Sequence, residues 1–387
     1  MGERILEMLY ISGALFLLLL GIGSEMAWPN EKEIFEKDLV FVEKTRSLAG
    51  MSLKFQREVK KGGREESLIG IRTIPVWSAE NGRVEDTLYF PPKGGPRAID
   101  GNPTGDGVAA ALWNPPTKGE KYGHSSIAYY ALTEKKWLWR DDWSSKFDIA
   151  RRVKFSSDGL KVIGIGLKNI LVYEAKTGKR LETIAEPLKD YPLLSDSVRG
   201  SILSPSGKYI VIWQEPAPSG HLLGRWIANK WVTVWDLQTR KQVARWRKPE
   251  YVNFCAAFTR DENHILFGSG IDSGGHIRIW SVEKQEMIRD WPLGGAVFDM
   301  KFSEDYRYLA ISLAGADLLI RVYDYSNEKE IHSFGGVGSS IVGEPKPMTF
   351  FDGSRSFAFA KKDQLCVYDT QTWKEKWCVS SSAGAKD

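Results

Sequence analysis

Short apolar runs that end in an aromatic residue recur along the chain and form its strongest pattern. Their intervals are 53, 43, 62, 45, 43 and 45 residues, and four of the six match the roughly 40–45-residue period of repeats built from four strands. The seven marker aromatics are Trp77, Tyr130, Tyr173, Trp235, Trp280, Tyr323 and Tyr368. In four copies another apolar residue follows eleven positions later, namely Ile184, Trp246, Trp291 and Phe334.

A second element recurs with the same period. It consists of an apolar residue, then Ser or Thr, and then Asp or Gly, a composition typical of hairpin turns. The copies are FSSDG at 155–159, LSPSG at 203–207, FTRDE at 258–262, FSEDY at 302–306, a shortened FFDGS at 350–354 and NPTGDG at 102–107. Neighbouring runs such as KVIGIG are apolar on both faces, which is typical of sheets packed between two other sheets.

Together the two patterns predict an all-β fold, a seven-bladed β-propeller of four-stranded antiparallel blades. We expect the hairpin turn to join strands b and c, and the marker aromatic to lie on the outer strand d. Residues 39–77 provide candidate strands for blade one but lack the hairpin signature. We expect residues 372–379, TWKEKWCV, to supply strand a of that blade and to close the ring, which removes open sheet edges.

These motifs resemble the WD-repeat β-propeller family. The resemblance covers residues 97–379 well and 39–96 poorly, and it rests on the F-[ST]-x-D-[GEY] turn and the [VI]-x-[VI]-[WY]-[DES] strand. Only Trp235-Asp236 is a literal WD pair, and the family's upstream Gly-His pair is missing from its usual place. The family's buried Asp-His-Ser-Trp network is therefore not expected here. AKTGK at 175–179 also resembles part of the repeat of the quinoprotein propellers.

The N-terminus carries an uncharged apolar run, Met8 to Gly23. It is short for a membrane span, which needs about 20 residues, and close to the apolar part of a signal peptide. A cleaved signal, an uncleaved anchor and a buried helix all remain open. The expected organisation is a signal peptide or membrane anchor at 1–27, a linker at 28–38, the propeller at 39–379 and a disordered tail at 380–387. The protein is expected to be exported to the periplasm or outside the cell, or to be membrane-anchored.

Net charge and cysteine content exclude some classes of protein. The net charge is +4, which is too small to indicate a nucleic-acid-binding surface. The only three cysteines are Cys255, Cys366 and Cys378, so a disulfide scaffold is excluded. They fall on predicted strands, where buried free thiols are the default expectation, and a bridge between Cys366 and Cys378 is conceivable in an exported protein.

The connections between predicted strands differ in length between the two ends of the propeller. Turns such as KTGK and SNEK are short and uniform, whereas the other end carries long segments at 113–126, 186–197, 215–230 and 335–347. Long loops in a compact domain are often functional. They contain residue types common at interface hot spots, and the candidate partner-binding residues are Trp113, Tyr122, Tyr191, Arg225 and Trp226. The alternative is that Trp226 packs into its own blade as a plug.

Motifs for other chemistry are weak. Residues 100–106 imitate half of a calcium loop, but Ala111 stands where a bidentate Glu is needed. The GSGIDSGG segment at 268–275 misses the dinucleotide fingerprint, and the adjacent Asp141 and Asp142 would face opposite ways on a strand. The five histidines, His124, His221, His264, His276 and His332, show no metal spacing. No catalytic residue, metal or cofactor is therefore expected.

The sequence thus favours a non-enzymatic module that binds a protein partner or acts as a scaffold. The competing interpretation is a propeller enzyme, or a quinoprotein-like ligand-binding propeller, whose site lies at the central channel. Propeller sites assemble from several blades and leave no local motif, so the sequence alone leaves this alternative open.

Overall fold

The computed structural model describes most of the chain in twelve ranges. These are residues 33–59, 66–118, 123–143, 149–166, 169–185, 196–216, 231–247, 253–269, 274–313, 319–335, 347–361 and 364–380. The described residues form seven four-stranded antiparallel sheets, each built from four strands that are consecutive in the chain. The sheets pack side by side as a seven-bladed β-propeller, which confirms the expected fold class.

The strands are numbered β1 to β28 in chain order. Those of blade 1 are β1 Glu33–Val42, β2 Ser47–Val59, β3 Glu66–Ser78 and β4 Val84–Tyr89. Those of blade 2 are β5 Gly95–Gly101, β6 Gly107–Asn114, β7 His124–Ala131 and β8 Lys136–Trp143. Those of blade 3 are β9 Arg152–Phe155, β10 Lys161–Ile165, β11 Asn169–Glu174 and β12 Arg180–Ala185.

The remaining four blades have the same order. Blade 4 consists of β13 Asp196–Leu203, β14 Tyr209–Pro216, β15 Trp231–Asp236 and β16 Lys241–Arg247. Blade 5 consists of β17 Asn253–Phe258, β18 His264–Ser269, β19 His276–Ser281 and β20 Glu286–Pro292. Blade 6 consists of β21 Val297–Phe302, β22 Tyr308–Leu313, β23 Leu319–Asp324 and β24 Lys329–Phe334. Blade 7 consists of β25 Met348–Phe351, β26 Ser356–Lys361, β27 Gln364–Asp369 and β28 Glu375–Ser380.

The first strand of every blade is the innermost. These strands, β1, β5, β9, β13, β17, β21 and β25, contact one another in order around the ring and surround the central channel. A bulge interrupts the pairing of the first strand with the second in blades 1, 2, 4, 5 and 6. Bulges bend a strand and increase its twist, which suits strands that line a narrow channel.

The assignment of strands within a blade differs from the sequence-based one by a single position. Each marker aromatic lies on the third strand, as Tyr173 does on β11, and not on the outer strand. The recurring turn joins the first and second strands, as FSSDG does between β9 and β10. The expected positions of these two motifs were therefore wrong. The repeat period shows how long a blade is, but not where along the repeat a blade begins.

The hairpin signature has a simple physical basis. In blade 3 the Ser156 amide donates to the Lys161 carbonyl oxygen (3.0 Å), and the Ser156 hydroxyl accepts the Lys161 N–H (3.0 Å). The last position of the motif adopts a positive φ, with 69° at Gly159, 59° at Glu262 and 62° at Tyr306. Ser or Thr is thus needed for the side-chain bond. The final position selects a backbone conformation that glycine adopts at lowest cost.

The two apolar signatures of the repeat contact each other between blades. The marker aromatic of one blade packs against the apolar residue that follows the previous blade's marker by eleven positions. Ring centroids are 5.2 Å apart for Trp246 and Trp280 and 4.7 Å apart for Phe334 and Tyr368. The four blades that carry the second residue bury their faces against the next blade in this way, so both signatures recur with the blade period.

Tryptophans on two outer strands make a further contact with the next blade. Trp139 on β8 donates from Nε1 to the Ala175 carbonyl oxygen (2.7 Å) and lies against Gly178, whose φ is +69°. Trp377 on β28 likewise donates to the Ala79 carbonyl oxygen (3.2 Å) and lies against Gly82, whose φ is +74°. Blades 2 and 3 are therefore joined by the same kind of contact as blades 7 and 1.

The ring closes without sharing a strand between its ends. Residues 375–380 form β28, the outer strand of blade 7, so the expectation that 372–379 supply strand a of blade one is wrong. Within the described residues, blade 1 consists of β1 to β4, and β25 packs directly on β1. The Phe41 and Phe351 rings lie 4.8 Å apart, and Arg46 pairs with Asp352 at 3.1 Å. Side-chain contacts between two blades, without a shared strand, therefore complete the ring.

The cysteines also differ from the default expectation. Cys366 on β27 and Cys378 on β28 are direct partners in the strand register and form a disulfide, whereas Cys255 is a buried free thiol. The N-terminal run assigned to a signal or anchor lies outside the described residues. Within the part of the chain that the structure describes, no helix is long and apolar enough to cross a membrane.

Candidate functional site

The two ends of the propeller differ in how their strands are connected. At one end, the hairpin face, the first strand joins the second and the third joins the fourth. All of these turns span four or five residues, for example 132–135 and 156–160. At the other end, the loop face, the connections range from residues 362–363 alone to residues 217–230. The expected division into a regular and an irregular end is confirmed, because a one-strand shift leaves the alternation of the two ends unchanged.

Of the five candidate partner-binding residues, only Trp113 is among the described residues. It lies at the loop-face end of β6, where it is half-buried. The Arg97 guanidinium lies 4.9 Å from the centre of its ring, and a Cβ atom at Gly123 would lie 2.6 Å from the same ring. Trp113 thus keeps part of one surface available to solvent while packing against its own blade. Tyr122, Tyr191, Arg225 and Trp226 lie outside the described residues.

Two histidines at the same end contact carboxylates. His276 Nδ1 lies 2.7 Å from Asp290, and the buried Arg278 lies 3.4 Å from the same carboxylate. His124 Nε2 lies 3.7 Å from Asp142. These contacts give both imidazoles structural partners on neighbouring strands. Neither histidine needs a metal ion to explain its position.

Among the described residues, the one set with metal-ligating atoms close together comprises Cys366, Glu375 and Cys378. The two sulfur atoms of this set are bonded to each other. A disulfide offers no thiolate to a metal, so this group does not form a metal centre in the oxidised protein.

A polar cavity of about 100 Å³ lies among the first strands of six blades. Its wall combines carboxylates, cations and apolar side chains. The lining residues are Asp38, Ala98, Ile99, Arg152, Val153, Lys154, Gly200, Ser201, Ile202, Trp213, Cys255, Ala256, Asp299 and Lys301. A cavity needs roughly 10–15 Å³ of such volume to hold one water molecule, so this one has room for several.

Some charged groups of this wall are tied to the inner strands. Asp38 accepts the Ile99 N–H at 3.0 Å, so its carboxylate bridges blades 1 and 2. Asp100, next to the cavity, accepts the Phe155 N–H at 2.7 Å and also binds Lys154 Nζ at 3.1 Å. Carboxylates thus cap the inner strand of the following blade, which accounts for their presence in the channel.

Asp299 and Lys301 carry the strongest electrostatic coupling in the cavity. Asp299 raises the pKa of the Lys301 ammonium, and Asp38 adds to this effect, although burial acts in the opposite direction. Burial raises the pKa of the Asp299 carboxyl, and the charge of Lys301 opposes that rise. The positive charge of Lys301 is therefore maintained by its neighbours.

The sequence contained a signal for this cavity that could not be recognised without the correct strand order. Asp100, Lys154 and Lys301 each stand two positions before the Asn or Ser that opens the recurring turn. Once that turn is known to follow the innermost strand, these positions fall in the channel. With the turn placed between strands b and c, they would have been expected inside a blade.

No protein-family model matches the sequence, and no curated protein matches it.

Proposed function

We propose that the chain is a divergent WD-repeat-like propeller that acts as a non-enzymatic module for binding a protein partner through its loop face. The observation that carries this proposal is the unequal length of the connections at the two ends. A ring with fourteen hairpin turns of four or five residues on one side and connections of very different length on the other has a uniform end and a distinctive end. Specific recognition requires a distinctive surface, because identical turns offer a partner many equivalent contacts.

The exported or membrane-anchored location is a second part of the proposal. The apolar N-terminal run suits a signal or an anchor, and a disulfide persists mainly in oxidising compartments. These two features come from opposite ends of the chain and favour the same location.

The test compares two multiple variants of the full chain in capture experiments from its natural source. One variant carries Trp113→Ala, Arg225→Ala and Trp226→Ala on the loop face, and the other carries Lys179→Ala and Lys329→Ala on the hairpin face. A partner should be captured by the wild type and the hairpin-face variant and lost from the loop-face variant. Truncating an aromatic or Arg anchor typically costs at least ~2 kcal/mol, about thirtyfold in Kd, and a rim lysine under ~1 kcal/mol.

Melting of Trp226→Ala alone separates binding from the plug alternative. If Trp226 fills its own blade, its truncation should cost about 3 kcal/mol or more of stability. If it contacts the partner, the melting temperature should stay near that of the wild type while affinity falls. A partner lost from the hairpin-face variant but retained by the loop-face variant would show that the binding face has been assigned to the wrong end.

A further inference from the structure

The outer hairpin of blade 7 places three metal-ligating side chains on one side of its sheet. Cys366 on β27 and Cys378 on β28 are direct partners in the antiparallel register, with Cα atoms 4.1 Å apart. A bulge in this pairing leaves out Lys376, so Glu375 pairs with Tyr368. Alternate residues of a strand share a face, so Tyr368 lies on the same face of β27 as Cys366. The bulge therefore brings Glu375 to the face of the two cysteines.

The ligand atoms of these residues already lie close together. A carboxylate oxygen of Glu375 and the two sulfur atoms are all within 4.8 Å of one another. The Tyr368 hydroxyl donates a long hydrogen bond to Glu375 Oε2, at 3.4 Å, and helps to orient the carboxylate. A tetrahedral Zn²⁺ bound to two thiolates and a carboxylate oxygen holds these atoms about 3.6–3.8 Å apart. Opening the bridge and rotating the exposed Glu375 side chain bring the three atoms into this range.

The same position in blade 6 shows a feature that the bridge does not explain. There Glu330 occupies the position of Glu375, and Arg321 and Ser333 occupy those of the two cysteines. Arg321 Nε lies 3.6 Å from Glu330 Oε2, so this carboxylate has a cation on the neighbouring strand. In blade 7 the position of the arginine is taken by Cys366. A disulfide carries no charge to balance Glu375, whereas two thiolates and a carboxylate together attract a divalent cation.

The hairpin is accessible on the side of its outer strand. Cys366 is fully buried, whereas Cys378 is half-buried on β28 and Glu375 is exposed. A dithiol reductant attacks the Cys378 sulfur, the S–S bond breaks, and Cys366 leaves as a thiolate. The second thiol of the reductant then displaces the Cys378 thiolate, so the reductant becomes a disulfide and two electrons pass to the bridge. The two protons that the reductant loses pass to the cysteines and are released to solvent when a metal ion binds.

We propose that the reduced protein binds Zn²⁺ at this hairpin through Cys366, Cys378 and Glu375, with water in the fourth coordination position. Thiolate ligands favour Zn²⁺ over Mg²⁺ or Ca²⁺, which take oxygen ligands. Because the same two sulfur atoms form the bridge, the disulfide excludes the metal and the metal excludes the disulfide. The two strands are thus cross-linked in both states. This site depends neither on the loop face nor on a protein partner.

Zinc titration of the full chain before and after reduction tests the site. The chain is reduced with a dithiol, separated from the reductant under nitrogen, and titrated with Zn²⁺ in competition with a chromophoric chelator. The reduced wild type should bind about one Zn²⁺ per chain, and the oxidised wild type should bind at least about a hundredfold more weakly. Co²⁺ in place of Zn²⁺ should produce thiolate-to-cobalt absorption and the visible bands of a tetrahedral site.

Variants of two glutamates connect the binding to the hairpin. Glu375→Gln removes the charge with little change in shape and should weaken Zn²⁺ binding by the reduced protein at least about tenfold. The matched control Glu330→Gln makes the same change at the same position of blade 6 and should bind like the wild type. Both side chains are exposed, so neither variant is expected to fail to fold.

Melting provides a second measurement. Zn²⁺ should raise the melting temperature of the reduced wild type, because the metal binds the folded hairpin. It should leave unchanged the melting temperatures of the oxidised wild type and of the double variant Cys366→Ser, Cys378→Ser.

Two outcomes overturn the proposal. One is that the reduced wild type binds Zn²⁺ no better than the double cysteine variant and gains no stability from it. The other is equal affinity in the reduced wild type and Glu375→Gln, which would show that the carboxylate is not a ligand. Neither result bears on partner binding at the loop face.

Discussion

Single residues at the turns determine how closely neighbouring blades approach. Gly178 combines a left-handed backbone with direct contact to the Trp139 ring, and a Cβ atom there would lie 2.5 Å from it. Gly294 has a similar φ, +75°, but no atom lies within 4 Å of the position of a Cβ. Substituting alanine at each of the two positions therefore distinguishes the energetic cost of the left-handed backbone from the cost of the clash with the Trp139 ring.

We expect Gly178→Ala to destabilise the protein by about 3 kcal/mol and Gly294→Ala by only about 1 kcal/mol. A left-handed alanine costs roughly 1–2 kcal/mol, and overpacking adds typically 1–3 kcal/mol. Urea denaturation of both variants measures the difference. Equal losses in the two variants would mean that Trp139 does not pack against Gly178 in solution.

The sequence revealed some residues of the candidate sites and not others, depending on the residue type and its position. Trp113, at the loop face, was found because it falls in a long predicted connection and tryptophan is common at interface hot spots. Ser201 and Trp213 are ordinary residues of strands, and nothing in their sequence context shows that their buried polar atoms lack hydrogen-bond partners among the described residues. That property depends on three-dimensional packing, whereas the charged residues of the channel had a sequence signal that required the correct strand order to be recognised.

At the scale of elements, the repeat period predicted the blades and their number but left the boundaries between blades undetermined. Every blade has the same succession of strand, turn and strand, so a shift by one strand preserves all the spacings. Only blade 1, which lacks the turn signature, and the ends of the chain could fix the starting point. TWKEKWCV was consequently assigned to blade 1, although Trp377 only contacts that blade from β28.

The β27–β28 hairpin of blade 7 is fastened by the Cys366–Cys378 disulfide, with a sequence separation of 12 residues. Closing a loop of this length in the unfolded chain stabilises the folded state by about 2–3 kcal/mol in the chain-entropy model. The double variant Cys366→Ser, Cys378→Ser should lose about this much stability in chemical denaturation.

A reductant provides the matched control for that hairpin. It should lower the stability of the wild type to the level of the double variant and leave the double variant unchanged, because Cys255 is the only other cysteine. Alkylation of the denatured, unreduced protein should label one thiol. Three labelled thiols in protein taken from its natural compartment would contradict both the bridge and the proposed export.

At the scale of the whole molecule, the ring is closed by packing between two complete blades. The interface between blades 7 and 1 contains Leu48, Trp77 and Val367 in one apolar cluster, with Trp377 and Val379 of β28 packed against it. No strand is shared, so the last interface depends on the same kinds of contact as the other six. The outer strand of blade 7, β28, therefore stabilises both its own sheet and the closure of the ring against blade 1.

Truncation measures how much closure depends on that strand. Deleting every residue after Thr370 removes β28, the disulfide and the Trp377 contact, and exposes the edge of β27 together with buried Leu365 and Val367. We expect aggregation or a melting temperature lower by many degrees, because unpaired edges and several kcal/mol of lost burial act together. Deleting only residues 381–387 removes none of the described contacts and should leave melting unchanged. A chain ending at Thr370 that melts like the full-length protein would show that neither β28 nor its packing on blade 1 holds the ring together.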